Sequence, residues 1–137
     1  MLVPKKVKHR KWHKGRSRGR KFDTRGTHLN FGIYGLKAQS NAWVTSRQIE
    51  AMRRTISNFI KREGKLWIRI FPDKPVTKKP PEVTMGGGKG AVDHYVFPVR
   101  AGRILVEMDG VTREIAYEAL RLAGHKLPVL TKIVSRT

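Results

Sequence analysis

The spacing of apolar residues predicts a first helix from Thr45 to Glu63. Apolar side chains recur there every three or four residues, as they do along one face of a helix. Thr45 and Gln48 have the spacing of a capping box, and Gly64 stands where a C-cap is expected. The apolar face consists of Ile49, Met52, Ile56, Phe59 and Ile60.

A second helix is predicted from about Thr112 to Ala123 by the same criterion. Asp109 or Thr112 is its candidate N-cap, and Gly124 ends it. The residues expected to face inward are Ile115, Ala116, Ala119, Leu120 and Ala123.

Alternating apolar and polar positions predict strands. They are Leu29 to Ala38, Lys65 to Phe71, Val92 to Val99, Arg103 to Asp109 and Val129 to Ser135. The third and fourth are expected to form a hairpin across Arg100 to Gly102. Gly32 and Gly35 indicate a bulge or a close backbone approach. Hairpins combined with two helices predict an α+β fold, an antiparallel-rich sheet with both helices packed on one face as an α/β sandwich.

Residues 72–91, which we call the probe loop, do not fit this alternation. Pro72, Pro75, Pro80 and Pro81 remove backbone donors and exclude a helix or a central strand. Glycines between positions 86 and 90 make the following backbone permissive. A long loop in a compact domain is usually functional or disordered. We interpret this one as a cationic segment held out toward a polyanion.

Residues 1–28 are predicted to form a basic arm, and residues 29–137 a single domain that carries the probe loop. The arm has glycines and no apolar period, so by itself it should be disordered and become ordered along RNA. A solvated tail that keeps the protein soluble is the other interpretation. The cations of the arm are Lys5, Lys6, Lys8, Arg10, Lys11, Lys14, Arg16, Arg18, Arg20, Lys21 and Arg25.

The net charge narrows the class of partner. Thirty Lys and Arg residues against ten Asp and Glu residues give +20, which favours a polyanion, either nucleic acid or an anionic membrane. No apolar run reaches the roughly 18 residues of a membrane span. The charge lies in loops and the arm rather than on one amphipathic helix. Nucleic acid is therefore favoured, and the absence of cysteine fits a reducing cytosol.

Candidate chemistry is weak throughout the chain. Gly86 to Ala91 matches a dinucleotide fingerprint, but it follows a proline-rich loop and precedes a predicted strand instead of a helix. Gly90, not Ser or Thr, follows Lys89, which excludes a Walker loop. Isolated histidines (His9 and His13 in the arm, His94, His125) indicate no metal site. The acids Glu107, Asp109, Glu114 and Glu118 are interpreted as strand-end and helix-surface positions. We therefore expect no catalytic residue, no cofactor and no small-molecule substrate.

Several separated stretches resemble the L-sixteen family of bacterial large-subunit ribosomal proteins. The most specific is Trp67 to Pro80, continued by Met85-Gly86 and Gly88 to Gly90. Further similar stretches are Met1 to Lys6, His13 to Arg16, Phe31-Gly32, Tyr34 to Lys37, Arg47 to Ala51, Glu107 to Val111 and Ala123 to Pro128. The resemblance covers essentially the whole chain. Thr84 and Gly87 depart from it, because many relatives carry basic residues there.

The resemblance implies an α+β sandwich in the large ribosomal subunit, bound to large-subunit (23S) rRNA beside other ribosomal proteins. It also implies contact with the A-site tRNA near the peptidyl transferase centre. Whether the P-site tRNA is contacted as well stays open. The rRNA-binding residues implied in the arm are Lys5, Lys6, Lys8, Arg10, Lys11, Lys14, Arg16, Arg18 and Arg20. The tRNA-proximal residues implied are Met85, Gly86, Gly87, Gly88, Lys89 and Gly90.

The charge pattern adds further candidate rRNA contacts. They are Arg47 and Arg54 on the first helix, and Lys74, Lys78 and Lys79 in the probe loop. For the helix, a solvated basic face is the alternative. For the whole chain, the alternative to a ribosomal component is a free-standing RNA chaperone or ribosome assembly factor. The location implied is the cytoplasmic large subunit, and an organellar ribosome stays open.

Overall fold

The computed structural model describes residues 1–15 and 22–136, and in these residues two helices and seven strands are present. They follow one another as β1 (Tyr34–Ala38), β2 (Ala42–Thr45), α1 (Ser46–Phe59), β3 (Lys65–Ile68), β4 (Lys74–Lys78), β5 (Ala91–Val99), β6 (Ile104–Asp109), α2 (Arg113–Gly124) and β7 (Thr131–Ser135). The α+β class is confirmed. Neither helix has the length and apolar character that a bilayer crossing demands.

The strands divide between two antiparallel sheets. One sheet has the order β3-β6-β1-β7, and the other has the order β2-β5-β4. The predicted hairpin of β5 and β6 is therefore wrong, because these strands belong to different sheets. After β5 the chain turns at Gly102, whose φ is +97°. Gly102 N donates to Ala38 O (2.7 Å) and Ala38 N donates to Arg103 O (2.8 Å), which starts β6 beside β1.

The probe loop is partly regular, contrary to expectation. Lys74–Lys78 pairs with β5 as β4, one of the two edge strands of its sheet, and Pro75 lies opposite Tyr95. An edge strand is hydrogen-bonded on one side only, so a residue without an N–H is tolerated there. The prolines thus exclude a central strand, as predicted, but not a strand. The irregular parts are residues 72–73 and residues 79–90, and we call the second of these the tip.

The two helices pack on each other and contribute to one core. Ile49, Met52 and Ile56 are buried on α1. The buried residues of α2 are Ala116, Ala119, Leu120 and Ala123. Phe59 and Ile115, both predicted to face inward, are exposed. Thr45 and Gln48 form the predicted capping box. Thr112 is the N-cap of α2, but its side chain caps no N–H.

Helix α1 ends at Phe59 rather than near Glu63. Lys61 and Arg62 adopt φ values of 52° and 63°, ahead of Gly64 at 75°. A right-handed helix cannot continue through left-handed residues, so the chain reverses before the predicted glycine cap.

Residues 29–33, the crossing segment, run over the four-stranded sheet on the face opposite the core. Strand β1 therefore begins at Tyr34 instead of Leu29. A Cβ at Gly32 would lie 2.7 Å from Met108 O, and one at Gly35 would lie 2.4 Å from Leu29 Cδ2. These contacts confirm the close backbone approach that the two glycines indicate.

Candidate nucleic-acid interface

The tip extends from the β4–β5 hairpin into open space. Gly86, Gly87 and Gly88 have φ values of +116°, +74° and +97°, and a Cβ built on any of them meets no atom within 4 Å. Met85 beside them is 98% exposed. The three glycines therefore present bare backbone that a bulky partner can approach closely.

Two contacts hold the base of the tip together: a hydrogen bond from Lys79, and a close approach of Gly90 to Lys78 and Lys79. Lys79 Nζ donates to Gly86 O at 2.6 Å. A Cβ on Gly90 would come within 2.9 Å of Lys79 Cγ and 3.2 Å of Lys78 O, so the two sides of the hairpin touch there. The Lys79 ammonium group is thus engaged inside the tip, while the Lys78 side chain lies exposed.

The arm lies against this hairpin. Lys89 Nζ donates to Trp12 O, and Lys11 Nζ donates to Lys89 O at 3.2 Å. Lys74 Nζ donates to Lys14 O at 2.5 Å. The contact leaves a groove of about 520 Å³ that is lined by His9, Lys11, Trp12, His13 and Lys89. Sequence patterns did not reveal this contact, because it joins residues about sixty to eighty positions apart through backbone carbonyls.

The remaining predicted arm residues divide into two groups. Lys5, Lys6, Lys8, Arg10 and Lys14 are exposed, and Lys11 is half-buried. Arg16, Arg18 and Arg20 lie outside the described residues. In residues 1–15, the arm contains neither helix nor strand.

On α1, the two predicted phosphate-binding arginines differ in their surroundings. Arg54 Nε lies 3.1 Å from Glu50 Oε1, and Arg53 also pairs with that carboxylate. Hydrogen bonding by Arg53, with a further contribution from Arg54, lowers the pKa of Glu50 to about 2. Part of the positive charge of this helix face is therefore offset. Arg47 is exposed about two turns nearer the N-terminus than Arg54.

Glu107 is not the surface position that we expected, because its side chain is fully buried. Its Oε1 accepts hydrogen bonds from the backbone N–H groups of Asn30 (2.8 Å), Phe31 (3.0 Å) and Gly32 (3.1 Å). Its Oε2 accepts from the Arg69 guanidinium. Burial raises the pKa of Glu107, but the Arg69 and backbone hydrogen bonds outweigh this and bring it below its usual range. The carboxylate thus stays ionised and fixes the crossing segment.

Within the described residues, no three His, Asp or Glu side chains are grouped to hold a metal ion. His94 Nδ1 lies 2.7 Å from Asp93 Oδ2, and both side chains are exposed. What the site offers is exposed cations, bare glycine backbone and aromatic rings, which are the groups that contact phosphates and bases.

The family model described as ribosomal protein L16p/L10e matches residues 4–134. The match includes the arm from residue 4 onward, both helices, the tip, and every strand except the last residue of β7. This chain belongs to the ribosomal protein L16p/L10e family.

Membership confirms the resemblance drawn from separated motifs. An L16p/L10e protein is a component of the large ribosomal subunit, so its partners are rRNA and other ribosomal proteins. The family is not one of enzymes. In an L16p/L10e chain, Gly86 to Gly90 therefore belong to a hairpin tip rather than to a nucleotide-binding loop.

Proposed function

We propose that this L16p/L10e protein anchors itself on large-subunit rRNA and holds its tip against the A-site tRNA near the peptidyl transferase centre, with the P-site tRNA as a second contact. The observation that carries this proposal is the bonding of Lys89 to Trp12 and of Lys11 to Lys89. Because the arm and the tip are joined, RNA that fixes the arm also fixes the position of the tip.

The anchoring contacts are electrostatic. Lys and Arg side chains neutralise phosphates and release counterions, which gives affinity and sets register without reading sequence. The proposed rRNA-binding residues are Lys5, Lys6, Lys8, Arg10, Lys11, Lys14, Arg16, Arg18, Arg20, Arg47, Arg54, Lys74, Lys78 and Lys79. Binding along such an extended set would connect separate rRNA segments and so support subunit assembly.

The tRNA contact depends on close approach rather than on charge. Gly86, Gly87 and Gly88 have no side chain to keep the sugar–phosphate backbone of a tRNA at a distance. The Gly86 carbonyl already accepts from Lys79, so the tRNA contact is assigned to the remaining backbone groups of these glycines. Met85, Lys89 and Gly90 flank them. Positioning of the tRNA by this backbone is the role that we assign to the tip.

Sucrose-gradient sedimentation of tagged protein from its own cells, at low and moderate salt, tests the anchor. The protein should migrate with the large subunit at both salt concentrations. A chain lacking residues 1–20 should lose this association while its urea unfolding midpoint stays close to that of the full chain. Protein that is spread through light fractions would contradict the proposal and indicate a free-standing RNA chaperone or assembly factor.

Replacement of Gly86, Gly87 and Gly88 by Ala tests the tip. Subunits should incorporate the variant normally but accommodate A-site tRNA several times more slowly. Glu82→Ala, a change at an exposed tip position that leaves the glycines intact, is the control. Equal losses of incorporation and accommodation would contradict a tRNA-positioning role.

A further inference from the structure

An exposed aromatic ring lies on the four-stranded sheet, on the face opposite the core, and belongs to neither the arm nor the tip. Phe31 stacks on Trp67 with ring centroids 6.0 Å apart and an interplanar angle of 21°. The Arg69 guanidinium carbon lies 5.1 Å from the centroid of the Phe31 ring. Phe31 nevertheless stays 57% exposed. We call these three side chains the aromatic platform.

Contacts with the underlying sheet hold the platform in place. Glu107 lies opposite Trp67 in the β3–β6 register, and it binds both the Phe31 N–H and the Arg69 guanidinium. Gly32 is pressed against the backbone of Met108, so the crossing segment has little freedom to move. A ring that is fixed before binding loses little conformational entropy when a ligand stacks on it.

The charge around the platform is positive. Arg136 is exposed at the end of the crossing segment, where its Nη2 donates to Leu29 O at 2.8 Å and its backbone N donates to Ile33 O at 2.7 Å. Lys65, also exposed, begins the strand that carries Trp67. The carboxylate that contacts the platform, Glu107, is buried and paired with Arg69. Asp109, which is half-buried, lies opposite Lys65 in the β3–β6 register, so Arg136 is the cation with no acid opposite it in that register. A planar ring bordered by cations complements a nucleotide, which combines a flat base with a phosphate.

We infer that the aromatic platform is a stacking site for one unpaired RNA base, whose phosphate faces Arg136 or Lys65. This inference rests on the proposed rRNA binding and adds to it a site outside the arm and the tip. The most exposed apolar side chain of the crossing segment is an aromatic ring with the Arg69 guanidinium beside it, which favours a base over a protein surface. Base stacking on such rings is tolerant of sequence.

The test measures the affinity of the full chain for two fluorescein-labelled probes at one salt concentration. One probe is a single-stranded 12-nucleotide oligoadenylate RNA, and the other is a 12-nucleotide RNA of abasic sugars with the same phosphates. The wild-type protein should bind the first more tightly. Phe31→Ala should weaken binding of the oligoadenylate about fivefold or more and leave the abasic probe unchanged.

Three further variants separate stacking from folding. Phe31→Leu keeps an apolar side chain over Trp67 but has no ring, so it should behave like Phe31→Ala. Phe31→Tyr keeps the ring and should bind as the wild type does. Phe71→Ala removes an aromatic side chain that is 42% exposed but lies outside the stack, so it should change neither affinity.

Three results would overturn this inference and leave the proposed function standing, and the first two concern the probes. One is equal affinity of the wild-type protein for both probes, and the other is an equal effect of Phe31→Ala on both. Poorer incorporation of Phe31→Ala into subunits with unchanged probe binding would also overturn it and would indicate a protein contact. Failure of the wild-type protein to bind either probe would contradict the proposed function itself, and this inference with it.

Discussion

Arg69 and Glu107 form an ion pair beneath the crossing segment, with the Glu107 carboxylate fully buried and the Arg69 side chain 17% exposed. The pair connects β6, through Glu107, to the residue that follows β3. The same carboxylate accepts three backbone hydrogen bonds from residues 30–32. One side chain therefore joins two strands of the sheet to the segment through which the basic arm enters the domain.

Removal of this carboxylate should be costly. Glu107→Ala leaves the Arg69 charge and three N–H groups without their acceptor, so the free energy of unfolding should fall by about 3–5 kcal/mol, as measured by urea denaturation. Glu118→Ala, which breaks the exposed pair with Arg121, should lower the free energy of unfolding far less, because solvent screens an exposed ion pair. If both variants lost a similar amount of unfolding free energy, the buried position of Glu107 would add nothing to the stability that its ion pair provides.

The lowered pKa of Glu107 predicts a pH dependence. The folded protein binds the proton of this group less readily than the unfolded chain, so the contribution is complete above the ordinary carboxyl pKa of 4.5. It is lost as the pH falls below that value through the folded pKa. Urea midpoints measured between pH 7 and pH 3 should therefore fall less steeply for Glu107→Gln than for the wild type. Parallel curves would contradict this assignment.

Two glycines with positive φ should respond differently to alanine. Gly64, at +75°, would place a Cβ 2.4 Å from Asp109 O, which is backbone and cannot yield easily. Strain and clash together should cost about 3 kcal/mol. Gly86 has open space around it, so Gly86→Ala should cost about 1 kcal/mol or less. Urea denaturation of the two variants checks the difference, and equal values would contradict it.

The arginines of α1 should differ in their electrostatic contribution to RNA binding. Each phosphate contact that is lost reduces the slope of log K against log salt by about 1. Arg47→Ala should show this change in binding to large-subunit rRNA between about 50 and 200 mM KCl. Arg54→Ala should change the slope less, because Glu50 already pairs with Arg54. A larger effect at Arg54 would mean that the carboxylate leaves it when RNA binds.

The junction of arm and tip can be loosened without removal of either. Lys89→Met deletes the donor to Trp12 O and keeps the length of the side chain. Amide hydrogen exchange of residues 11–15 should become several times faster, because the arm loses a contact that holds it. Lys78→Met, at an exposed position of β4, is the control and should leave exchange in the arm unchanged. Unchanged exchange in Lys89→Met would contradict the coupling of arm and tip.

Features that depend on nearby residues could be predicted from the sequence. The capping box needs only Thr45 and Gln48, which are three positions apart, and both bonds are present. The helix faces follow from the helical repeat, apart from Phe59 and Ile115 at the margins of those faces. Gly32 and Gly35 predict that another segment approaches their backbone closely, because a glycine inside a strand pattern often marks a place where a side chain would not fit. The basic character of the arm could be predicted from its number of Lys and Arg residues alone.

Features that depend on residues far apart in the sequence could not be predicted. Strand β6 pairs with β1 instead of β5 because Ala38, about sixty positions away, forms backbone hydrogen bonds with Gly102 and Arg103 at the turn. Pro75 forbids a strand only where both edges are paired, and edge position is decided by the sheet order. Glu107 is buried because Arg69, 38 positions away, and the N–H groups of residues 30–32 supply its partners. Local alternation contains none of this information.

The proline of β4 also has a consequence for the chain before any RNA is bound. An exposed sheet edge is a template on which a second chain can add a strand, and this is a common route to aggregation. Pro75 gives β4 one backbone donor fewer than an ordinary strand, and Lys74 and Lys78 at the two ends of β4 would repel the same edge of another copy. The residues that we propose to bind rRNA on this hairpin should thereby also oppose self-association of the newly made protein.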